Sequence, residues 1–270
     1  MIDPAYAGVW RYWRSTPIAP DRAVTLGEPT TPLIPVTIDG GNALAKLDSM
    51  MPTGSFKDRG ATILISFLKS QGVTQIVEDS SGNAAASMAG YAARAGIACE
   101  VYAPATASPG KLVQAAAYGA KVIRVEGTRD DVAHAAERAA QRPGNAYATH
   151  NWHPFFIEGV KTWAYEVWEQ LGYHVPDVVI APGGSGSVVL LMNDSQLVAL
   201  NFLHFRSLGA GRTVRAIGCA GLTGGLVVGW AVNIASSRKG TTNRCAVIHV
   251  NVACVKTDTL GELSGTSSGI

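Results

Sequence analysis

Between positions 55 and 141 short β-rich runs alternate with helices of ten residues or more, and this alternation limits the fold most severely. Apolar residues Phe56, Ile63, Leu64, Phe67 and Leu68 follow helical spacing over 55–71, closed by Gly72. A β-rich run follows at 75–78, then an alanine-rich helix over 83–95 stopped by Gly96. A strand over 99–103, a helix over 109–118, a strand over 121–125 and a helix over 129–141 continue the series. Strands separated by helices of this length indicate βαβ units and a parallel sheet. Farther on, 158–171 reads as one helix, and the apolar run Val178-Val179-Ile180-Ala181 as a strand entering a glycine-rich loop. Runs at 213–218 and 246–250 also read as strands. Ligands of such sheets bind beyond the carboxyl ends of the strands.

With 270 residues, 47% of them hydrophobic, the chain has enough apolar surface for one large or two small domains. A formal charge of +2 points to neither nucleic acid nor a membrane surface as partner. The sequence has no uninterrupted apolar stretch of about 18 residues and no basic-then-apolar leader at Met1-Ile2-Asp3-Pro4, so a cytoplasmic location is expected. Cys99, Cys219, Cys245 and Cys254 lack CxxC spacing, which disfavours a metal centre or a disulfide framework. The histidines are scattered singly and read as structural or exposed. The stripe Trp163, Val167, Trp168 and Leu171 reads as core or interface.

Three segments could carry chemistry. In Pro52-Thr53-Gly54-Ser55-Phe56-Lys57-Asp58-Arg59-Gly60 a lysine sits one turn into the expected helix, behind a Thr-Gly-Ser capping run. An amine held there can form an imine with an aldehyde cofactor and later move a proton; otherwise it is an ordinary solvated lysine. Ser80-Ser81-Gly82-Asn83 opens a helix whose first N–H groups can face an anion, or simply caps it. Gly183-Gly184-Ser185-Gly186-Ser187 can cradle a phosphate with backbone N–H groups, or is a turn. No GxGxxG with a following acidic residue is present, so it is not a dinucleotide fingerprint.

Together, and in this order, the three segments resemble the fold type II pyridoxal-phosphate enzymes, most closely the threonine synthase branch. The likeness runs from about Tyr6 to about Leu190 and includes Gly8-Val9-Trp10-Arg11-Tyr12 and Leu26-Gly27-Glu28-Pro29 before Thr31-Pro32-Leu33. It implies pyridoxal 5'-phosphate as cofactor and Lys57 as its lysine and the catalytic base. Asn83 would contact the cofactor ring oxygen, Ser81 and Asn83 would hold the substrate carboxylate, and Gly183, Gly184, Ser185, Gly186 and Ser187 would grip the cofactor phosphate. The implied architecture is α/β with two open parallel-sheet domains, the second incomplete. Residues 1–50 would pack on the large domain, 51–150 form the small domain with the lysine, and 151–270 supply the rest of the large domain. Asp58 and Arg59 are expected to make local ion pairs around the lysine turn.

The resemblance also has departures. Phe156 stands where some relatives carry an arginine suited to a substrate phosphate, Lys161 reads as a solvated helix lysine, and Ala84 replaces a threonine found in many relatives. Beyond about residue 190 the likeness fades; seven Lys or Arg and three Asp or Glu over 191–270 give +4, against −2 for the preceding part. The family's late residue that bonds the cofactor ring nitrogen has no clear counterpart. An interrupted parallel sheet leaves an uncovered edge, so a poorly packed C-terminal third or a homodimer that covers it is expected. The implied activity is a threonine synthase-like lyase acting on a small amino acid, turning O-phosphohomoserine into threonine. The rivals are a threonine or serine deaminating lyase and a cofactor-binding homologue without turnover.

Overall fold

The computed structural model describes residues 2–38, 41–151, 153–176, 178–182, 215–217 and 246–250. Two sheets organise them. The first has four parallel strands in the order β5 (Lys121–Val125), β4 (Ala98–Pro104), β3 (Gln75–Glu78) and β6 (Asn145–Tyr147). The second runs β1 (Leu33–Ile38), β2 (Gly41–Leu47), β9 (Ala246–Val250), β7 (Val178–Pro182) and β8 (Arg215–Ile217). It is parallel except for the β1–β2 hairpin, an antiparallel edge that residue periodicity had not indicated.

Helices cover both faces of the four-stranded sheet, as its alternating side chains require. On one face, Ile76, Cys99, Val101 and Ala103 pack against α1 (Lys57–Ser70), α2 (Asn83–Ala95) and α3 (Pro109–Ala117). On the other, Val77 and Tyr102 pack against Val132, Ala136 and Ala139 of α4 (Arg129–Ala140). Thr128 caps α4 by accepting from the Asp131 N–H while the Asp131 carboxylate accepts from the Thr128 N–H, a reciprocal capping box. With a period of two along β3, Glu78 falls on the face of Ile76, toward α1 and α2. Asp79 falls toward α4, where it meets Arg129.

The order β5-β4-β3-β6 reverses direction at β3. From β3 the chain steps through β4 to β5, then returns to add β6 on the other side. The crevice beyond the carboxyl ends of β3 and β6 is therefore a topological switch point, the usual ligand position in an open parallel sheet.

The expected single helix over 158–171 is two: α5 (Pro154–Val160), which starts earlier, and α6 (Thr162–Gln170). Pro154 at the first helical position and the His153 cap set the early start, and the Ala164 N–H reaching the Lys161 carbonyl tightens the junction. Helix α5 crosses α1 closely because glycines meet there. A Cβ on Gly159 would run into the Arg59 carbonyl, and one on Gly60 into the Phe156 ring. Trp163 and Val167 of α6 pack with Leu33, Leu44, Leu171 and Val179, so that part of the stripe is core, whereas Trp168 is half-buried and meets the exposed Tyr173 edge to face. Among the described residues no helix is long and apolar enough to cross a membrane.

A buried charge network ties α1 to β2 and α6. Arg59 donates two hydrogen bonds to Asp48 (2.8 and 3.0 Å) and two to Glu166 (3.0 and 3.1 Å). Lys46 Nζ donates to Glu166, to Gln170 and to the Thr31 carbonyl at 2.5–2.7 Å. The Thr31 hydroxyl donates to Asp48 at 2.8 Å. All four charged side chains have 0% exposure, and two positive charges face two negative ones. The expectation of local ion pairs around the lysine turn is thus corrected: Arg59 reaches residues remote in sequence, and Asp58 accepts hydrogen bonds from Thr53 and Ser87.

Candidate active site

Lys57 is the first residue of α1, not a residue one turn inside it, and neither Thr53 nor Ser55 caps the helix through its side chain. The preceding turn is fixed instead by Asp58, whose carboxylate accepts from the Thr53 N–H (2.7 Å), the Thr53 hydroxyl (2.5 Å) and the Ser87 hydroxyl (2.6 Å). Ser87 lies in the second turn of α2, so these bonds clamp the start of α1 against the start of α2. Burial pushes the Asp58 pKa up to about 6 despite the three donors.

The Lys57 side chain is only 8% exposed. Its Nζ lies 4.8 Å from the Phe56 ring centre and 5.4 Å from that of Phe156, and makes no hydrogen bond or ion pair with another described residue. Desolvation lowers its pKa to about 8, partly offset by the negative charge of Glu78. A buried amine without a partner is costly in an isolated protein and reactive toward electrophiles.

Glu78 ends β3 with 0% exposure. Its Oε1 lies 2.7 Å from His150 Nδ1, three residues past the end of β6, and its Oε2 has no hydrogen-bond partner. Burial raises its pKa, opposed by His150 and more weakly by Lys57. The His150 and Phe156 rings meet edge to face, 6.2 Å between centroids, so Lys57, Phe156, His150 and Glu78 line one region. Glu78, Asp79 and His150 each bring one metal-capable atom within 4.8 Å of the others; Asp79 is also bound by Arg129 at 2.5 Å. Sequence reading gave Glu78 no role and took His150, with the other histidines, as structural or exposed. The available signal was a carboxylate at an inward-facing position of a buried strand.

Ser80-Ser81-Gly82-Asn83 sits where expected, between β3 and α2. Gly82 occupies the cap position with no side-chain cap, and Ser80 Oγ accepts from the Gly82 N–H at 3.2 Å. Ser81 and Asn83 are half-buried. The first amides of α2 lack intrahelical acceptors, as at every helix start, and they open at the same strand end as Glu78. Lys161 is not solvated: it is buried and paired with Glu158. Gly183, Gly184, Ser185, Gly186 and Ser187 lie outside the described residues. Strand β7, which leads into them, is flanked by β9 and β8. The sequence beyond 190 lies outside the described residues as well, apart from β8 and β9.

Comparison with known proteins agrees with this geometry. Residues 24–190, more than half the chain, match the family described as pyridoxal-phosphate dependent enzyme. The threonine synthase of Methanocaldococcus jannaschii is 39% identical over 189 residues, covering 67% of this chain and 46% of that protein. The threonine synthase of Bacillus sp. (strain ULM1) is 41% identical over 172 residues, covering 61% of this chain and 48% of that protein. The chain thus spans about half the length of these curated relatives. Among solved structures, a threonine deaminase from the organism abbreviated T.th. aligns with a TM-score of 0.58 at 28% identity, over 70% of this chain and 60% of that one. Maize serine racemase aligns with a TM-score of 0.58 at 26% identity, over 69% and 55%. The two-sheet α/β architecture is that of the fold type II enzymes, and the chain belongs to the pyridoxal-phosphate-dependent enzyme family, with pyridoxal 5'-phosphate as its cofactor.

Proposed function

We propose that this chain carries the catalytic centre of a lyase that removes the Cα proton of a small amino acid and expels a group from its side chain. The supporting observation is the Lys57 amine, buried, without a hydrogen-bond partner among the described residues and depressed in pKa, at the switch-point crevice. An aldehyde cofactor fits that amine. Lys57 would hold it, Asn83 would face its ring, and Gly183, Gly184, Ser185, Gly186 and Ser187 would receive its phosphate past the end of β7. Once bound, the cofactor supplies an electron sink for the pair left at Cα.

The protein's own groups do the rest. Lys57 Nζ, with a pKa near 8, takes the Cα proton and can return it to a neighbouring carbon. Ser81 and the opening amides of α2 receive the substrate carboxylate. The Phe56 and Phe156 rings keep water from the amine, which preserves its low basicity.

The threonine synthase relatives favour O-phosphohomoserine as substrate, with phosphate leaving Cγ and water adding at Cβ. Phe156 favours the second reading, a deaminating elimination on serine or threonine. In that reaction the Cα–H and Cβ–O bonds break, the hydroxyl leaves as water, and hydrolysis yields a 2-oxo acid and ammonia. The ring stands beside Lys57 where a phosphate-binding arginine is expected in some relatives, and the nearby Lys161 is neutralised by Glu158. The full chain loaded with pyridoxal phosphate separates the two readings. O-phosphohomoserine releasing inorganic phosphate supports the first, and threonine yielding a 2-oxo acid supports the second. A preparation that develops no visible cofactor absorbance, or develops it equally in Lys57→Ala, overturns both.

A further inference from the structure

Four side-chain oxygens among the described residues are buried without a hydrogen-bond partner: Ser55 Oγ, Glu78 Oε2, Asp79 Oδ1 and Asn151 Oδ1. Three of them belong to the two strand ends that frame the switch point. Glu78 ends β3, Asp79 follows it, and Asn151 follows His150 past β6. An unsatisfied buried acceptor costs about 1–3 kcal/mol, more if charged, so several around one crevice call for a donor from elsewhere. Arg129 holds Asp79 toward α4, which leaves Glu78 and Asn151 as the principal acceptors. His150 fixes Glu78 through Oε1 and leaves Oε2 free.

The surroundings also reject one class of ligand. A phosphate at the end of a substrate side chain would meet the Glu78 carboxylate and the Phe156 ring here, away from the α2 amides that receive the substrate's own carboxylate. Lys161, at the junction of α5 and α6, is already paired with Glu158. Resting on the lyase reading above, we propose that the crevice between β3 and β6 is the substrate side-chain subsite. It takes amino acids whose side chains end in a hydrogen-bond donor, hydroxyl or ammonium, with Glu78 Oε2 and Asn151 Oδ1 accepting and Phe156 as the apolar wall. A hydroxyl is served by either protonation state of Glu78, whereas an ammonium draws it to the carboxylate.

The test titrates the cofactor-loaded full chain with paired amino acids and reads binding from the cofactor absorbance, not turnover. L-threonine is paired with L-2-aminobutyrate, which lacks only the hydroxyl, and L-2,4-diaminobutyrate with L-norvaline, which replaces the ammonium by methyl. O-phospho-L-homoserine is the anionic probe. At least one donor-bearing member should bind about tenfold or more tightly than its apolar partner, because a site built for a donor discriminates against its absence. Which pair shows the larger ratio tells hydroxyl from ammonium. Glu78→Leu and, separately, Asn151→Leu should bring the ratio toward one; the wild-type ratio stands as a test even if a variant misfolds. Equal affinity within both pairs, tightest binding of O-phospho-L-homoserine, or a response that depends on added magnesium overturns the subsite. If absorbance still responds to amino acids, the lyase reading survives that failure. If none of the five changes it, both fall.

Discussion

Two residues of α1, Lys57 and Arg59, sit in buried polar surroundings with opposite logic. Around Arg59 each charge is matched: two cations and two carboxylates interlock with Thr31 and Gln170 at 2.5–3.1 Å. Around Lys57 the polar atoms face no partner; its amine and Glu78 Oε2 make no hydrogen bond among the described residues. A satisfied network specifies geometry, here the seating of α1 against β2 and α6. An unsatisfied one is tolerated where a ligand completes it. One turn of helix thus joins an anchor to a reactive amine, and the anchor's rigidity fixes where the amine points.

Substitutions can break this contrast. Lys57→Ala should lower any elimination rate by about 10⁴-fold, the upper end for loss of an acid–base group, while leaving urea stability of the cofactor-free protein equal or higher. A marked loss of stability would put Lys57 in the anchor instead. Arg59→Met should do the reverse in the first instance. It strands Asp48 and Glu166 in the interior and should cost about 3–5 kcal/mol in urea unfolding. A cost below about 1 kcal/mol would mean that the network does not hold the two sheets' elements together.

Titration sharpens the same contrast. The Lys57 pKa falls from 10.5 in the unfolded chain to about 8 in the folded one. Between those values the unfolded state binds more protons, so stability rises with pH. The penalty is fully present below about 8, is relieved as pH climbs toward 10.5, and amounts to about 3 kcal/mol. Lys46, lowered to about 8 as well, contributes the same sign, so the Lys57 share is the difference between wild type and Lys57→Met in cofactor-free protein across that window. No difference between their slopes would mean that the amine is hydrated. The smallest effect is expected of Ser87→Ala, which removes one of three donors to Asp58 and should cost about 1–2 kcal/mol by urea unfolding. Because it loosens the clamp between α1 and α2, cofactor affinity should weaken with it, and unchanged affinity would separate the clamp from the site.

Much of the architecture is legible locally. Strands β3, β5 and β9 and helix α2 coincide with their sequence pattern, because each strand is a short β-rich run and α2 is an alanine series stopped by Gly96 in a left-handed conformation. The β1–β2 hairpin escaped notice because β1 is partly exposed along its length, with Pro35 in its middle, and alternates too weakly to read as a strand. Strand β6 has three residues, too few for any period to show. Lys161 looked like a surface lysine because helical spacing cannot reveal that the fold buries it and pairs it with Glu158.

Within the site, Lys57 and the Ser80-Ser81-Gly82-Asn83 loop stood out because their chemistry sits in a short contiguous segment. Glu78 and His150 did not, since their contact spans 72 positions and exists only once β6 lies beside β3. The residue order by itself determined the βαβ alternation and both ends of α2, and it singled out Lys57, all from properties of neighbours along the chain. The tertiary structure alone decided which strand ends meet, which carboxylates are paired and which acceptors stay empty. Burial and electrostatic partnership depend on what folds back from far away, and no local pattern encodes that.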